Sequence, residues 1–361
     1  MHKIGQLRRR SKVVEILAAR EFIFTLTSAG VCTVFDGRTH ERLCYMNQRD
    51  NEVIRSLYHN KVNDSIMTVS VYREDEFSAL RSRTTALEYL RRGRLDQGYE
   101  LFESEKLHWP GFIEFDDANG KIITFSADTH TYKVWEQRDY SFLYAIKDPN
   151  ICEIKPGPGM LLVIYRRRSG YVPFSLVDIE TGTIVRTFNV WLHRSRKVEI
   201  TEITNEKVII KQEGEAANIF DIRTGKSSVI SSSDLSLPAA FIFLSNSHLF
   251  LTFKGNTVIV WNEAGEQVSK FEDHKISAQT MKTNCIFVSA NKGIIFSHSQ
   301  SPTDGSGAIV ISSIFSGKTV GRITSPDNPA ALEDVTSLYY SDERGEIYTG
   351  NKNGELRVWS V

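Results

Sequence analysis

The amino-acid sequence predicts an all-β chain: a single closed β-propeller of four-stranded antiparallel blades, with eight blades favoured and seven the alternative. Three observations predict it. A strand-then-turn marker recurs along the whole chain at blade-like spacing. Each period holds four short strand patterns with turn residues between them. The composition, 41% hydrophobic and 24% charged, is that of an ordinary globular chain.

The marker is a β-branched or aromatic stretch ending in a polar residue, followed by turn-formers and a second short strand. It ends at Asp36, Glu88, Glu136, Asp178, Asp221, Asn262, Ser313 and Ser360, so successive markers lie 52, 48, 42, 43, 41, 51 and 47 residues apart. A period of about 40–50 residues is that of a propeller blade. A repeat fold grows by adding such units, so a chain of 361 residues needs no division into several domains.

Within one period the strands can be read directly. In the fourth unit Ile151–Ile154 precedes a Pro-Gly-Pro-Gly turn, Met160–Tyr165 an arginine-rich turn, and Val172–Val177 a Glu-Thr-Gly turn. Thr183–Phe188 closes the unit. The sixth repeats the plan with AAFIFL, HLFLTF, TVIVW and QVSKF. Runs such as Phe241–Leu244 are apolar throughout, as strands covered on both faces are. The expected blades span about 13–46, 51–104, 110–146, 149–189, 196–231, 237–272, 278–324 and 333–361. The least regular are the second, where Glu88 is a poor marker, and the seventh, where SPTDGSG interrupts the third strand. The last blade ends at its third strand. Residues 2–8 are expected to supply the fourth, His2–Leu7 pairing beside Glu355–Ser360 and closing the ring.

The dipeptides at the markers resemble the Trp-Asp signature of WD40 repeats. Trp135-Glu136, Trp261-Asn262 and Trp359-Ser360 carry the tryptophan; Phe35-Asp36, Val177-Asp178 and Phe220-Asp221 carry the aspartate; no unit carries both. The Gly-His dipeptide of many WD40 repeats is absent, Asp273-His274 being the nearest to it. The chain thus resembles the WD40-like and quinoprotein-like propellers over nearly its whole length. It is also similar to a plant and algal group of WD40-repeat-like proteins, a likeness that implies a fold and no activity.

Charge and cysteine usage narrow the function classes. With 44 basic and 44 acidic residues, nothing global points to nucleic acid or an anionic membrane, so such a role needs a local patch. Cys32, Cys44, Cys152 and Cys285 are scattered, without the spacing of a disulfide or zinc framework, which predicts reduced thiols. The N-terminal stretch lacks the apolar core of a secretory signal, and no apolar run approaches a membrane span. The expected location is cytoplasmic, nuclear or both.

No catalytic constellation is visible: there is no GxSxG elbow, no phosphate-binding P-loop and no HExxH. The nine histidines are dispersed, and Asp128-Thr129-His130 reads as a hairpin turn. Quinone-cofactor dehydrogenases also have eight blades, but they are longer, carry adjacent cysteines and are exported. The expectation is a non-enzymatic protein without cofactor or metal.

Three basic clusters remain as candidate partner-binding sites. The first is Arg81, Arg83, Arg91, Arg92 and Arg94 in the second unit; the second is Arg166, Arg167 and Arg168; the third is His193, Arg194, Arg196 and Lys197. Arginine forks suit carboxylate and phosphate, while the plainer reading is solvated loop charge. Turns in a propeller alternate between its two faces. This places the second and third clusters on one face and Arg91, Arg92 and Arg94 on the other. Trp109, in a linker beside Pro110, is either an exposed interface anchor or a wedge between blades.

Two local strings carry further resemblances. Leu90-Arg91-Arg92-Gly93 resembles the paired-arginine motif of phosphoinositide-binding propellers, although that motif joins late blades of seven-bladed rings. Ser126-Ala127-Asp128 followed by Tyr132 to Arg138 is similar to the box of substrate receptors in cullin-based ubiquitin ligases, which implies that Arg138 engages the adaptor. Here the spacing is one residue long and Gln137 replaces an apolar residue. The function expected is a non-catalytic protein–protein interaction scaffold of WD40-like type within a multiprotein complex. The alternatives are a phosphoinositide or nucleic-acid binder acting through its arginines, and a ubiquitin-ligase substrate receptor.

Overall fold

The structure, a computed structural model, describes residues 11–193, 195–230, 238, 240–255, 257–271, 285–300 and 306–360; for Ser104 and Ser245 it describes the backbone alone. Strands make up eight antiparallel sheets, at 13–45, 52–101, 112–147, 151–191, 198–230, 240–270, 286–323 and 335–360. Seven are four-stranded meanders and the eighth has three described strands. The molecule is an eight-bladed propeller, and the seven-bladed alternative falls. The strand expected from His2–Leu7 lies outside the described residues.

Closure is visible in the core. Its apolar side chains fall into eight clusters, and each joins two neighbouring blades. Val13, Ile16 and Ile23 of blade one meet Tyr348 of blade eight, so the seam packs like the other interfaces. Burial on both faces explains the uninterrupted apolar second strand Met160–Tyr165.

The marker residues have distinct structural tasks. Each marker tryptophan lies on a third strand and donates its indole N–H diagonally to a threonine on the second. Trp135 reaches Thr124 at 3.0 Å, Trp261 reaches Thr252 at 2.8 Å and Trp359 reaches Thr349 at 2.9 Å. The marker carboxylates tie the turn into the outer strand. Asp36 accepts from the N–H groups of Arg38 and Thr39, Asp178 from Glu180 and Thr181, and Asp221 from Thr224. Those bonds hold all three carboxyls below the usual range; for Asp221 the largest cause is its bond from Lys207. One device braces the sheet and the other shapes its turn; blade six has both, with Asn262 accepting from the N–H groups of Ala264 and Glu266.

Bulges recur at fixed places. First strands carry an extra residue at Val14, Arg55, Cys152, Glu199 and Thr336. Outer strands carry one at Leu43, Leu143, Val185, Val268 and Val320. A bulge bends an edge away from further pairing. Two irregularities differ from expectation. The third-to-fourth connection of blade two holds a one-turn helix, Leu87–Arg91, whose Leu87 and Leu90 are buried. In blade seven the third strand runs unbroken over Gly307–Ser313, so SPTDGSG is the connection before that strand, not an interruption of it; residues 301–305 lie outside the described set.

Candidate functional site

The meander sets the two rims of the ring. Second-to-third turns and blade-to-blade linkers lie on one rim, here the upper. First-to-second and third-to-fourth turns lie on the lower. The described basic residues singled out above can be placed on this frame.

In blade two the arginines are mostly spoken for. Arg81 lies over the Tyr72 ring at 4.7 Å and pairs with Glu74 and Asp75. Arg83 donates to the Leu95 carbonyl at 2.8 Å and to the Gln48 side chain. On the lower rim Arg91 pairs with Glu21 and Glu88, and Arg92 with Glu88 at 2.8 Å. Arg94 is exposed and has no ion pair among the described residues. The Leu90–Gly93 string therefore ends a helix whose arginines are neutralised by carboxylates of this chain. Arg138 is exposed on the lower rim of blade three, while Asp128 is exposed in an upper-rim turn, so the two ends of the ligase-like box sit on opposite faces.

Trp109 is 82% exposed in the linker from blade two to blade three; it is not a wedge. Its N–H bonds to the Ser78 carbonyl at 3.1 Å, which fixes the linker but leaves the indole in solvent.

The second and third clusters meet, on the upper rim of blade four. Arg167 spans them, donating to the Arg196 carbonyl at 2.7 Å and to the His193 carbonyl. It is a brace. Arg196 pairs with Glu215, and Lys197 is exposed. Arg194 lies outside the described residues. Arg166 and Arg168 are exposed and without an ion pair among the described residues. They line a cavity of about 320 Å³ with Asp148, Asn150, Tyr165 and Pro173. On the same rim, at the end of the outer strand, stands Trp191, 76% exposed, its ring 5.2 Å from that of Tyr171. Tyr171 bridges back to Arg168, and the Leu192 N–H bonds the Gly170 carbonyl at 2.9 Å, which ties the aromatic pair to the basic turn.

Trp191, Tyr171 and Tyr165 were not singled out from the sequence. A signal exists. The outer strand Ile184–Trp191 carries exposed Ile184 and Val185 as well as Trp191, more apolar surface than an edge needs.

Two larger cavities are lined by charges of both signs. One of about 430 Å³ lies along the first strands of blades four to six, where Lys155 bridges Glu202 at 2.8 Å and Glu153 at 3.4 Å and Lys211 pairs with Glu199. The other, about 630 Å³, includes Arg42, stacked on Tyr45, and Arg49, stacked on Tyr72. Perturbed carboxyls do occur on the innermost strands. Burial lifts Glu15 to about 7 and also raises Glu114, with Asp116 adding to the latter. The Glu15 carboxylate accepts from the Leu57 N–H at 3.4 Å. Neither carboxyl has a proton-transfer partner among the described residues. Burial lowers His59 and His298, and His298 bonds the Leu332 carbonyl at 2.7 Å. Among the described residues no three His, Cys, Asp or Glu side chains gather as a metal site, and no helix is long and apolar enough to cross a membrane.

Comparison with solved structures returns chains matched over nearly their whole length. The computationally designed Ika8 protein is 18% identical, with 98% of this chain and 97% of that one covered and a TM-score of 0.58. BamB from Moraxella catarrhalis is 13% identical, with 96% and 94% covered and a TM-score of 0.49. At such identity the first likeness speaks for the fold alone. No curated protein matches the sequence. The model of the family described as a domain of unknown function (DUF7899) matches residues 1–359, and the chain belongs to that family.

Proposed function

We propose that the protein is a non-catalytic interaction scaffold of WD40-like type, and that it docks other proteins on the upper rim of blade four. The observation that carries this reading is Trp191, 76% exposed on the same rim as Arg166 and Arg168, which have no ion pair among the described residues. Aromatic residues and arginine dominate the energy of protein interfaces, and a flat exposed indole held by Tyr171 loses little freedom on binding. The rigid ring places this patch on a fixed scaffold, the usual setting for binding loops. Membership of a multiprotein complex in the cytoplasm or nucleus fits this reading.

The test is a pull-down from native extract at low and moderate salt. Wild type is compared with Arg166→Glu/Arg168→Glu, with Trp191→Ala, and with Arg94→Glu on the lower rim. Specific proteins lost with the first two variants and kept with the third bear the reading out. Recovery of lipid or nucleic acid alone, falling steeply with salt, replaces it with phosphate binding through the same arginines.

A further inference from the structure

The outer strand of blade four is the longest of its kind among the described residues. Ile184–Trp191 has eight residues, against four, three and six in blades one, two and three and four, four and five in blades five, six and seven. An outer strand leaves alternate backbone N–H and C=O groups turned to solvent. The direction can be assigned here. The Leu192 N–H points inward to the Gly170 carbonyl, and backbone groups two residues apart point the same way in an antiparallel ladder. Thr187, Asn189 and Trp191 therefore turn theirs outward, and among the described residues no strand covers them.

Edges are ordinarily blunted by shortness, lysine, proline or a bulge. In this strand the bulge sits at Val185, ahead of the regular stretch. There is no lysine or proline from Ile184 to Trp191. The single charge, Arg186, folds onto the carbonyls of Ile222 and Arg223 and leaves the edge open. At the end of this edge Trp191 pairs with Tyr171, which bridges to Arg168 in the basic turn.

We propose that this edge receives an extended segment of another protein as a fifth strand of blade four. The inference rests on the docking reading above and names its partner: a strand running antiparallel to Ile184–Trp191, with acidic side chains at its N-terminal end. The bare backbone groups require an extended chain, because only another strand satisfies them in series. An antiparallel segment begins beside Trp191, on the rim that carries Arg166 and Arg168, whose guanidiniums have no ion pair among the described residues and can take carboxylates in forked pairs. Trp191 and Val185 supply apolar contacts at the two ends.

The probe is a displayed library of random ten-residue peptides selected on the whole protein. Selected peptides are expected to carry Asp or Glu first and β-branched or aromatic residues at alternate positions after. Asn189→Pro removes an outward N–H while sparing the bonds to the neighbouring third strand, so the blade keeps its own ladder. It should weaken the selected peptides at least about tenfold, while Asn189→Ala leaves them unchanged. Should Asn189→Pro fail to fold, hydrogen exchange in wild type decides. Bound peptide slows exchange at Thr187, Asn189 and Trp191, and unchanged exchange there overturns the proposal. Peptides that need Arg166 and Arg168 yet bind Asn189→Pro at full strength overturn strand addition and leave the docking site standing. A library in which nothing is enriched overturns both.

Discussion

Trp261 allows the role of the marker tryptophans to be measured. It is 1% exposed, and its indole N–H is the donor to Thr252, itself 3% exposed. Trp261→Phe removes that donor and leaves a buried hydroxyl unpaired, at a cost of about 1–3 kcal/mol. It also leaves the space of the lost ring atoms, which adds roughly 1–2 kcal/mol of lost apolar burial. The variant should therefore be less stable by about 3 kcal/mol. Thr252→Val leaves the indole N–H unpaired instead, at about 1–2 kcal/mol. In the double variant both polar groups are gone, so its cost should fall short of the summed single costs by about 1 kcal/mol. Urea denaturation followed by circular dichroism measures all four proteins. Single costs that add to within ~0.3 kcal/mol would show that the bond contributes nothing and that Trp261 is filler.

The other predictions concern separate regions. Burial lifts Glu15 from 4.5 to about 7, so the folded chain holds this proton more tightly than the unfolded one; the contribution to stability is full below pH 4.5 and is lost as pH rises through about 7. At about 1.4 kcal/mol per pH unit the window spans at most about 3.5 kcal/mol, and Glu15→Gln should flatten the fall seen in urea melts between pH ~5 and ~8; an unchanged fall refutes the assignment. Asp221→Ala removes the acceptor for Thr224 and the partner of Lys207, and should lower stability by about 1 kcal/mol at neutral pH. Because the Asp221 carboxyl is held below its usual range, the difference from wild type should shrink as pH falls through the carboxylate range. Trp109→Ser should change the thermal midpoint little, within about 0.5 kcal/mol in stability, since the indole is 82% exposed; a large drop would place it in the core.

The architecture was legible because it repeats. One strand–turn signal in the blade range says little; eight at near-constant spacing define a ring, and the sheets fall where the markers put them. The mixture of tryptophan and aspartate at those markers looked like erosion of one signature. The structure shows two distinct physical devices, a brace from Trp261 to Thr252 and a turn held by Asp221. The candidate site was half legible. The sequence placed Arg166–Arg168 and the His193–Lys197 linker on one rim, and the bonds of Arg167 join them. It could not sort free guanidiniums from paired ones, because partners such as Glu21 for Arg91 lie 70 residues away. Trp191 escaped notice because the closing strand reads from the sequence as ending at Phe188, whereas it runs on to Trp191.

The seam between blades eight and one also shapes the order of assembly. Thr336 bonds the Val13 carbonyl across 323 residues of chain, and Arg344 bonds the Gly37 carbonyl across 307. The other interfaces join consecutive blades, whose contacts close loops of tens of residues. Closing a loop of 323 residues costs about 5 kcal/mol of chain entropy on the (3/2)RT ln n scale. Once the intervening blades have stacked, most of that cost has been met in small steps, and the two ends arrive already close. Folding should thus proceed as an open arc that snaps shut last. Under load or mild denaturant the same seam is the natural place for the ring to part first. A circular permutation that joins the present ends and cuts a lower-rim turn would carry that weak point to another pair of blades.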